Sequence, residues 1–161
     1  MAVVAVPAQR LPEAEVKAAV IRRLPEFVEW PASAPAGPAP LTLCFSPSHP
    51  FGSVLQQLKK GPDIRGRAVS IRELRKGEIP DGCHVLYVAT QEQDLLHRAV
   101  TLPILTVGDQ VDFCPLGGVV NFRVIEGRVR FEINLTRARR VGLTVDSQLL
   151  RLASRLYEGR P

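Results

Sequence analysis

The chain has 161 residues, which favours a single domain that is long enough to bury a hydrophobic core. Hydrophobic residues make up 45% and charged residues 23%, as in ordinary globular proteins, and no apolar run reaches the roughly 18 residues of a membrane-spanning helix. The net charge of +5 admits an acidic partner, but aromatic residues are only 6%, which argues against stacking on nucleic-acid bases.

The first twelve residues leave the cellular compartment open. Val6-Pro7-Ala8 resembles the end of a cleaved export signal, but the basic start and the longer apolar stretch of such a signal are missing. Either an export signal was removed, or the protein is cytosolic. We treat residues 1–12 as a tail or as the residue of a removed export signal, and residues 13–161 as the folded domain.

Helical spacing of apolar residues predicts an amphipathic helix over residues 13–30. Pro25 cannot donate to the carbonyl of Ile21, so we expect a kink or a break there. Residues 31–40 contain four prolines and predict an exposed connector. The apolar face of the helix is expected to consist of Val16, Val20, Leu24, Phe27 and Val28.

Residues 41–107 alternate between strand-like and helix-like segments, which predicts a mostly parallel sheet with helical crossovers. The predicted strands are 41–45, 68–74, 84–89 and 104–107. The predicted helices between them are 51–60 and 91–100.

The last third of the chain predicts a β-hairpin. Two alternating segments, 119–125 and 128–135, are separated only by Glu126-Gly127, which suits a two-residue turn. A short helix over 136–141 follows, and Asp146 or Ser147 is expected to cap a last helix whose apolar residues run from Leu149 to Leu156. The predicted fold is a single α/β domain with a mixed sheet of about six strands, flanked by four or five helices, and a C-terminal hairpin.

Several segments, taken in this order, resemble the YfiR family of bacterial periplasmic regulators. They are VKAAV and FVEWP (16–20, 27–31), FGSVLQQL (51–58), GRAVSIREL (66–74), CHVLYVA (83–89), ILTVGD (104–109), GGVVNF (117–122), GRVRFEINLTRARRVGL (127–143) and SQLLRLASRL (147–156).

This resemblance implies a non-enzymatic periplasmic inhibitor that binds the sensor region of a membrane-bound diguanylate cyclase and keeps cyclic-di-GMP output low. It also implies that an OmpA-like outer-membrane lipoprotein sequesters the inhibitor and releases the cyclase. A second copy of the chain is a further candidate partner.

The chain has three cysteines. Cys44 and Cys83 lie at or next to predicted strands that can be neighbours, and members of the YfiR family carry paired cysteines at these two positions, which implies a disulfide. The alternative is two buried free thiols. Cys114 is left over, because the chain lacks the fourth cysteine that a second disulfide of some family members would need. We expect a free thiol there, with an intermolecular bridge as the alternative.

The loop around residues 110–116 is the predicted partner-binding segment, since loops carry recognition more often than strands. Asp112, Phe113 and Leu116 are expected to contact a partner or a second copy. The alternative for Phe113 is that it caps the core.

A second function from another class stays open, namely a small-ligand sensor that uses the crevice at the carboxyl ends of the strands, near Thr106 and Asp109. Catalysis by Cys83 and His84 is not expected, because adjacent strand residues point to opposite faces. We also expect no metal and no other cofactor.

Seven arginines give the last third of the chain a basic character. We expect them to form a solvated surface or to meet an acidic partner, and we do not expect nucleic acid as a ligand. They are Arg128, Arg130, Arg137, Arg139, Arg140, Arg151 and Arg155.

Overall fold

The computed structural model describes residues 12–159 and contains five α-helices and nine strands within that range. In chain order the elements are α1 (Glu13–Arg23), a 3-10 helix (Leu24–Phe27), β1 (Val28–Glu29), β2 (Leu41–Phe45), α2 (Val54–Leu58), β3 (Val69–Glu73), β4 (Val85–Tyr87), α3 (Gln93–Ala99), β5 (Leu105–Gly108), β6 (Val120–Ile125), β7 (Arg128–Asn134), α4 (Leu135–Arg140), β8 (Thr144–Val145), α5 (Ser147–Leu152) and β9 (Arg155–Tyr157).

Seven of the strands form one mixed sheet in the order β3-β2-β4-β5-β6-β7-β9. The five strands from β3 to β6 in this order are parallel, β7 runs antiparallel to β6, and β9 runs parallel to β7. This arrangement confirms the single α/β domain with a mixed sheet. The remaining two strands, β1 and β8, form a separate antiparallel pair.

The first helix breaks where the proline predicts. Helix α1 ends at Arg23, and Pro25 lies in the 3-10 helix that leads into β1. Its buried face, however, is rotated from the predicted one, because Val16 and Val20 are only half-buried. The residues that α1 buries are Lys17, Ala18 and Ile21.

The end of the chain differs from the predicted long helix. Helix α5 stops at Leu152, and Leu156 lies in β9, where it pairs with Ile133 of β7. The backbone N–H of Ser154 donates to the carbonyl of Phe131, so the chain is tied to the sheet one residue before β9 begins. This pairing overrides the helical spacing of the leucines and adds the seventh strand.

The hairpin forms as predicted. Glu126 and Gly127 have φ values of 52° and 76°, which are the two positive values that a type I′ turn requires. Strand β6 pairs with β7 along its whole length, from Val120 opposite Ile133 to Ile125 opposite Arg128.

The core consists of two apolar clusters, one on each face of the large sheet. In β2, Leu43 and Phe45 belong to the larger cluster, whereas Cys44 between them belongs to the smaller one, because alternate strand residues point to opposite faces. Helices α1, α2, α4 and α5 contribute to the larger cluster, and α3 is the one helix of residues 12–159 that contributes to the smaller cluster. Among residues 12–159, no helix has the length and the apolar character that crossing a bilayer requires.

Candidate partner-binding surface

The segment between β5 and β6 is a series of turns whose conformation is fixed by Phe113. This side chain is 1% exposed, and a methyl group added at Gly108 or Gly118 would lie 2.3 or 2.1 Å from its ring. The ring is therefore held between two strand-end backbones that only glycine lets approach so closely. The expectation that Phe113 contacts a partner is corrected on this point: its side chain is a core anchor, which is the alternative given for it above.

The residues on both sides of this anchor are exposed. Asp112 lies at the surface, Leu116 is 49% exposed, and Val111, which the sequence reasoning missed, is 74% exposed. The backbone N–H of Leu116 donates to the Asp112 carbonyl at 3.0 Å, which closes the turn between them. We name Val111, Asp112 and Leu116 the anchored loop.

The disulfide that the family resemblance implies is present between Cys44 and Cys83, with a Cα–Cα distance of 5.9 Å. It links β2 to the residues just before β4, and these two strands are parallel neighbours. Both cysteines lie in the same apolar cluster as Phe113. The disulfide and Phe113, which anchors the loop, therefore pack in the same apolar cluster.

Cys114 is a buried free thiol. Its Sγ donates to the Val119 carbonyl at 3.7 Å. Burial, together with the nearby Glu132 carboxylate, raises the pKa of this thiol to about 12. A thiol in such surroundings stays protonated and unreactive, so an intermolecular bridge would first require local unfolding.

The two residues of the predicted ligand crevice already have protein partners. Thr106 is buried, and its Oγ1 accepts a hydrogen bond of 3.0 Å from the backbone N–H of Val119. The Asp109 carboxylate is 2.5 Å from the Lys17 ammonium group. Both groups therefore already hold parts of the fold together, Thr106 holding the residue just before β6 and Asp109 the first helix.

The neighbouring crevice lies between β2 and β4, where the order of the parallel strands reverses and ligands of such sheets often bind. Aromatic side chains fill it here, because the rings of Phe51 and Tyr87 pack with their centroids 4.8 Å apart and the ring of Phe45 contacts both.

Lys17 is a buried charge that the sequence did not reveal. Its side chain is 2% exposed, and its ammonium group contacts Asp109 and Glu13, each at 2.5 Å. Burial lowers the pKa of this lysine, but hydrogen bonds and attraction to the two carboxylates outweigh burial, so the pKa is raised. The ion pair fastens α1 to the end of β5.

The Cys83-His84 pair has no catalytic arrangement. The Cys83 sulfur is in the disulfide, and the His84 ring bonds to the backbone on both sides. Its Nδ1 accepts from the Thr42 N–H at 3.0 Å, and its Nε2 donates to the Pro35 carbonyl at 2.7 Å. His84 therefore holds the proline-rich connector against β2, and burial lowers its pKa.

Comparison with known proteins gives one result that agrees with this architecture. No curated protein matches the chain. A family model described as YfiR/HmsC-like matches residues 14–154, which is most of the chain and includes the disulfide, the anchored loop and the hairpin. The chain belongs to the YfiR/HmsC-like family.

Proposed function

We propose that the chain is a non-enzymatic periplasmic protein that binds the sensor region of a membrane-bound diguanylate cyclase and represses it. Its membership of the YfiR/HmsC-like family supports a regulator of diguanylate cyclase signalling in general, and this match carries the proposal. To this general role we add the proposal that the chain binds one cyclase and represses it.

The anchored loop is the part of the surface that we assign to the cyclase. Its two apolar side chains, Val111 and Leu116, are exposed, while the buried ring of Phe113 fixes the backbone between them. A loop held in one conformation loses little entropy on binding, so its exposed apolar groups can contribute to affinity.

We further propose that an OmpA-like outer-membrane lipoprotein removes this protein from the cyclase. Sequestration of this kind needs no chemical step, only competition for the same molecule. In this scheme a homodimer would act through the same exposed loop and would compete with both partners.

Cyclic-di-GMP levels in cells test the proposal. The chain, fused to an export signal, is co-expressed with its cognate membrane-bound diguanylate cyclase, and the nucleotide is quantified in extracts. We expect a lower level than with the cyclase alone, and an unchanged level when the same chain is retained in the cytoplasm. An undiminished level in cells that contain the exported, folded protein would refute repression.

Two matched substitutions test the assignment of the loop. Leu116→Asp places a charge in the anchored loop and is expected to restore cyclic-di-GMP output. Leu152→Asp places the same charge on another exposed leucine, at the end of α5, and is expected to leave repression intact. Equal effects of the two substitutions would reject the loop as the binding surface.

A further inference from the structure

Among the elements of residues 12–159, no helix covers one face of the C-terminal part of the large sheet, and this face is rich in arginine. Strand alternation and register place four arginines on one face of the sheet. It is the same face that α3 covers at β4 and β5. The opposite face of the same strands carries apolar residues such as Phe122 and Ile133 and is packed into the larger core cluster. We name the four the arginine face; they are Arg123, Arg128, Arg130 and Arg155.

Two of these arginines are placed at a cost to the fold. Arg123 of β6 lies directly opposite Arg130 of β7. Like charges in directly opposed cross-strand positions destabilise a sheet. The one acidic residue on these strands that faces them, Glu132, is buried and pairs with Arg123 at 3.4 Å. Within residues 12–159, neither Arg128 nor Arg130 forms an ion pair, and both are exposed.

The guanidinium groups at the two sides of the arginine face are held in place. Arg123 is fixed by Glu132, and the guanidinium of Arg155 stacks over the Tyr157 ring at 4.5 Å from its centroid. The positive charge in this part of the molecule comes from arginine alone, because residues 77–161 contain no lysine. Arginine presents a planar fork of donors that matches a carboxylate with two parallel hydrogen bonds, whereas lysine is a point charge.

From this charge complementarity we infer that the arginine face is a docking surface for an acidic protein segment. Guanidinium groups in register on neighbouring strands suit carboxylates at defined spacing, whereas attraction to an anionic lipid surface needs charge but no fixed geometry. A second copy would bring another basic face against this one. The inference stands independently of the cyclase, since it concerns another surface than the anchored loop.

The test uses the full chain and a short fluorescein-labelled poly-L-glutamate peptide, with binding followed by fluorescence anisotropy. The double variant R128Q/R130Q removes two exposed charges from the arginine face. The control K59Q/K60Q removes two exposed charges next to α2 and changes the net charge equally. We expect roughly tenfold weaker binding for the arginine variant and less than about twofold for the lysine variant.

A second measurement excludes loss of folding as the cause. Because R130Q removes the like-charge pair, we expect the arginine variant to melt at the same temperature as the unmodified chain or at a higher one.

Three results would overturn the inference. The first is equal weakening by both double variants, which would reflect net charge alone. The second is binding to vesicles of phosphatidylcholine and phosphatidylglycerol that depends on Arg128 and Arg130 while poly-L-glutamate binding does not. The third is a dimer in sedimentation that the arginine variant converts to a monomer.

Discussion

The Phe113 ring shows how one buried side chain determines the surface around it. Replacing it by alanine would leave a cavity between Gly108 and Gly118. We expect Phe113→Ala to lower the free energy of unfolding by about 3–5 kcal/mol, as for other buried phenylalanines. Urea denaturation measures this, with Leu116→Ala as a control that should change it by less than about 0.5 kcal/mol. A small effect of Phe113→Ala would mean that the ring does not anchor the loop.

His84 gives the stability of the protein a predictable pH dependence. Burial lowers its pKa in the folded state, whereas the unfolded chain has a pKa of about 6.5. Above that pH the His84 side chain is neutral in both the folded and the unfolded state. As the pH falls below about 6.5 the unfolded state takes up a proton that the folded state resists, so the free energy of unfolding decreases until the lower, folded-state pKa is reached.

Urea denaturation between pH 8 and 5, with His84→Gln for comparison, isolates this contribution, since the other titrating groups are common to both proteins. We expect the stability advantage of the unmodified chain over the variant to shrink as the pH falls. An advantage that stays constant across the range would contradict the assignment to His84.

The disulfide acts at the level of elements, because it joins β2 to the residues just before β4 across a sequence separation of 39 residues. A bridge that closes a loop of this length stabilises by about 4 kcal/mol in the chain-entropy model. We expect Cys44→Ala/Cys83→Ala to lose roughly that much in urea denaturation. The same substitutions should also loosen the anchored loop, seen as faster amide hydrogen exchange at Phe113 and Leu116, whose backbone N–H groups are hydrogen-bonded within the loop, than in the unmodified chain. Unchanged exchange at the loop would show that the shared cluster does not couple them.

The sequence predicted those elements whose causes are local. The hairpin was predictable because Glu126-Gly127 suits a two-residue turn, and the break in the first helix because Pro25 removes a donor. The last helix was predicted too long, because the pairing of Leu156 with Ile133 depends on a strand that lies more than twenty residues earlier in the chain.

The candidate site was less predictable, for the same reason. The space for Phe113 is made by two glycines, Gly108 at the end of β5 and Gly118 two residues before β6. Lys17 pairs with Asp109, which lies 92 residues later in the chain. The spacing of apolar residues in α1 does not predict a buried lysine on its core face. The sequence predicts that residues 110–116 bind a partner, but tertiary packing decides which of their side chains point outward.

At the scale of the whole molecule, the two surfaces that we propose for other proteins lie on different elements. The anchored loop lies between β5 and β6, and the arginine face lies on β6, β7 and β9. An acidic segment bound at the arginine face would leave the anchored loop available, whereas the proposed cyclase and lipoprotein compete for the anchored loop. Fold and charge distribution thus fit a protein that acts by binding.

Direct binding to the isolated periplasmic sensor region of the cognate cyclase, measured by isothermal titration calorimetry, tests this account most directly. We predict a saturable complex whose affinity falls at least about tenfold with Leu116→Asp, as for a residue at the centre of an interface, and is unchanged with Leu152→Asp. No heat of binding with both proteins folded, or a complex that Leu116→Asp leaves intact, would contradict it.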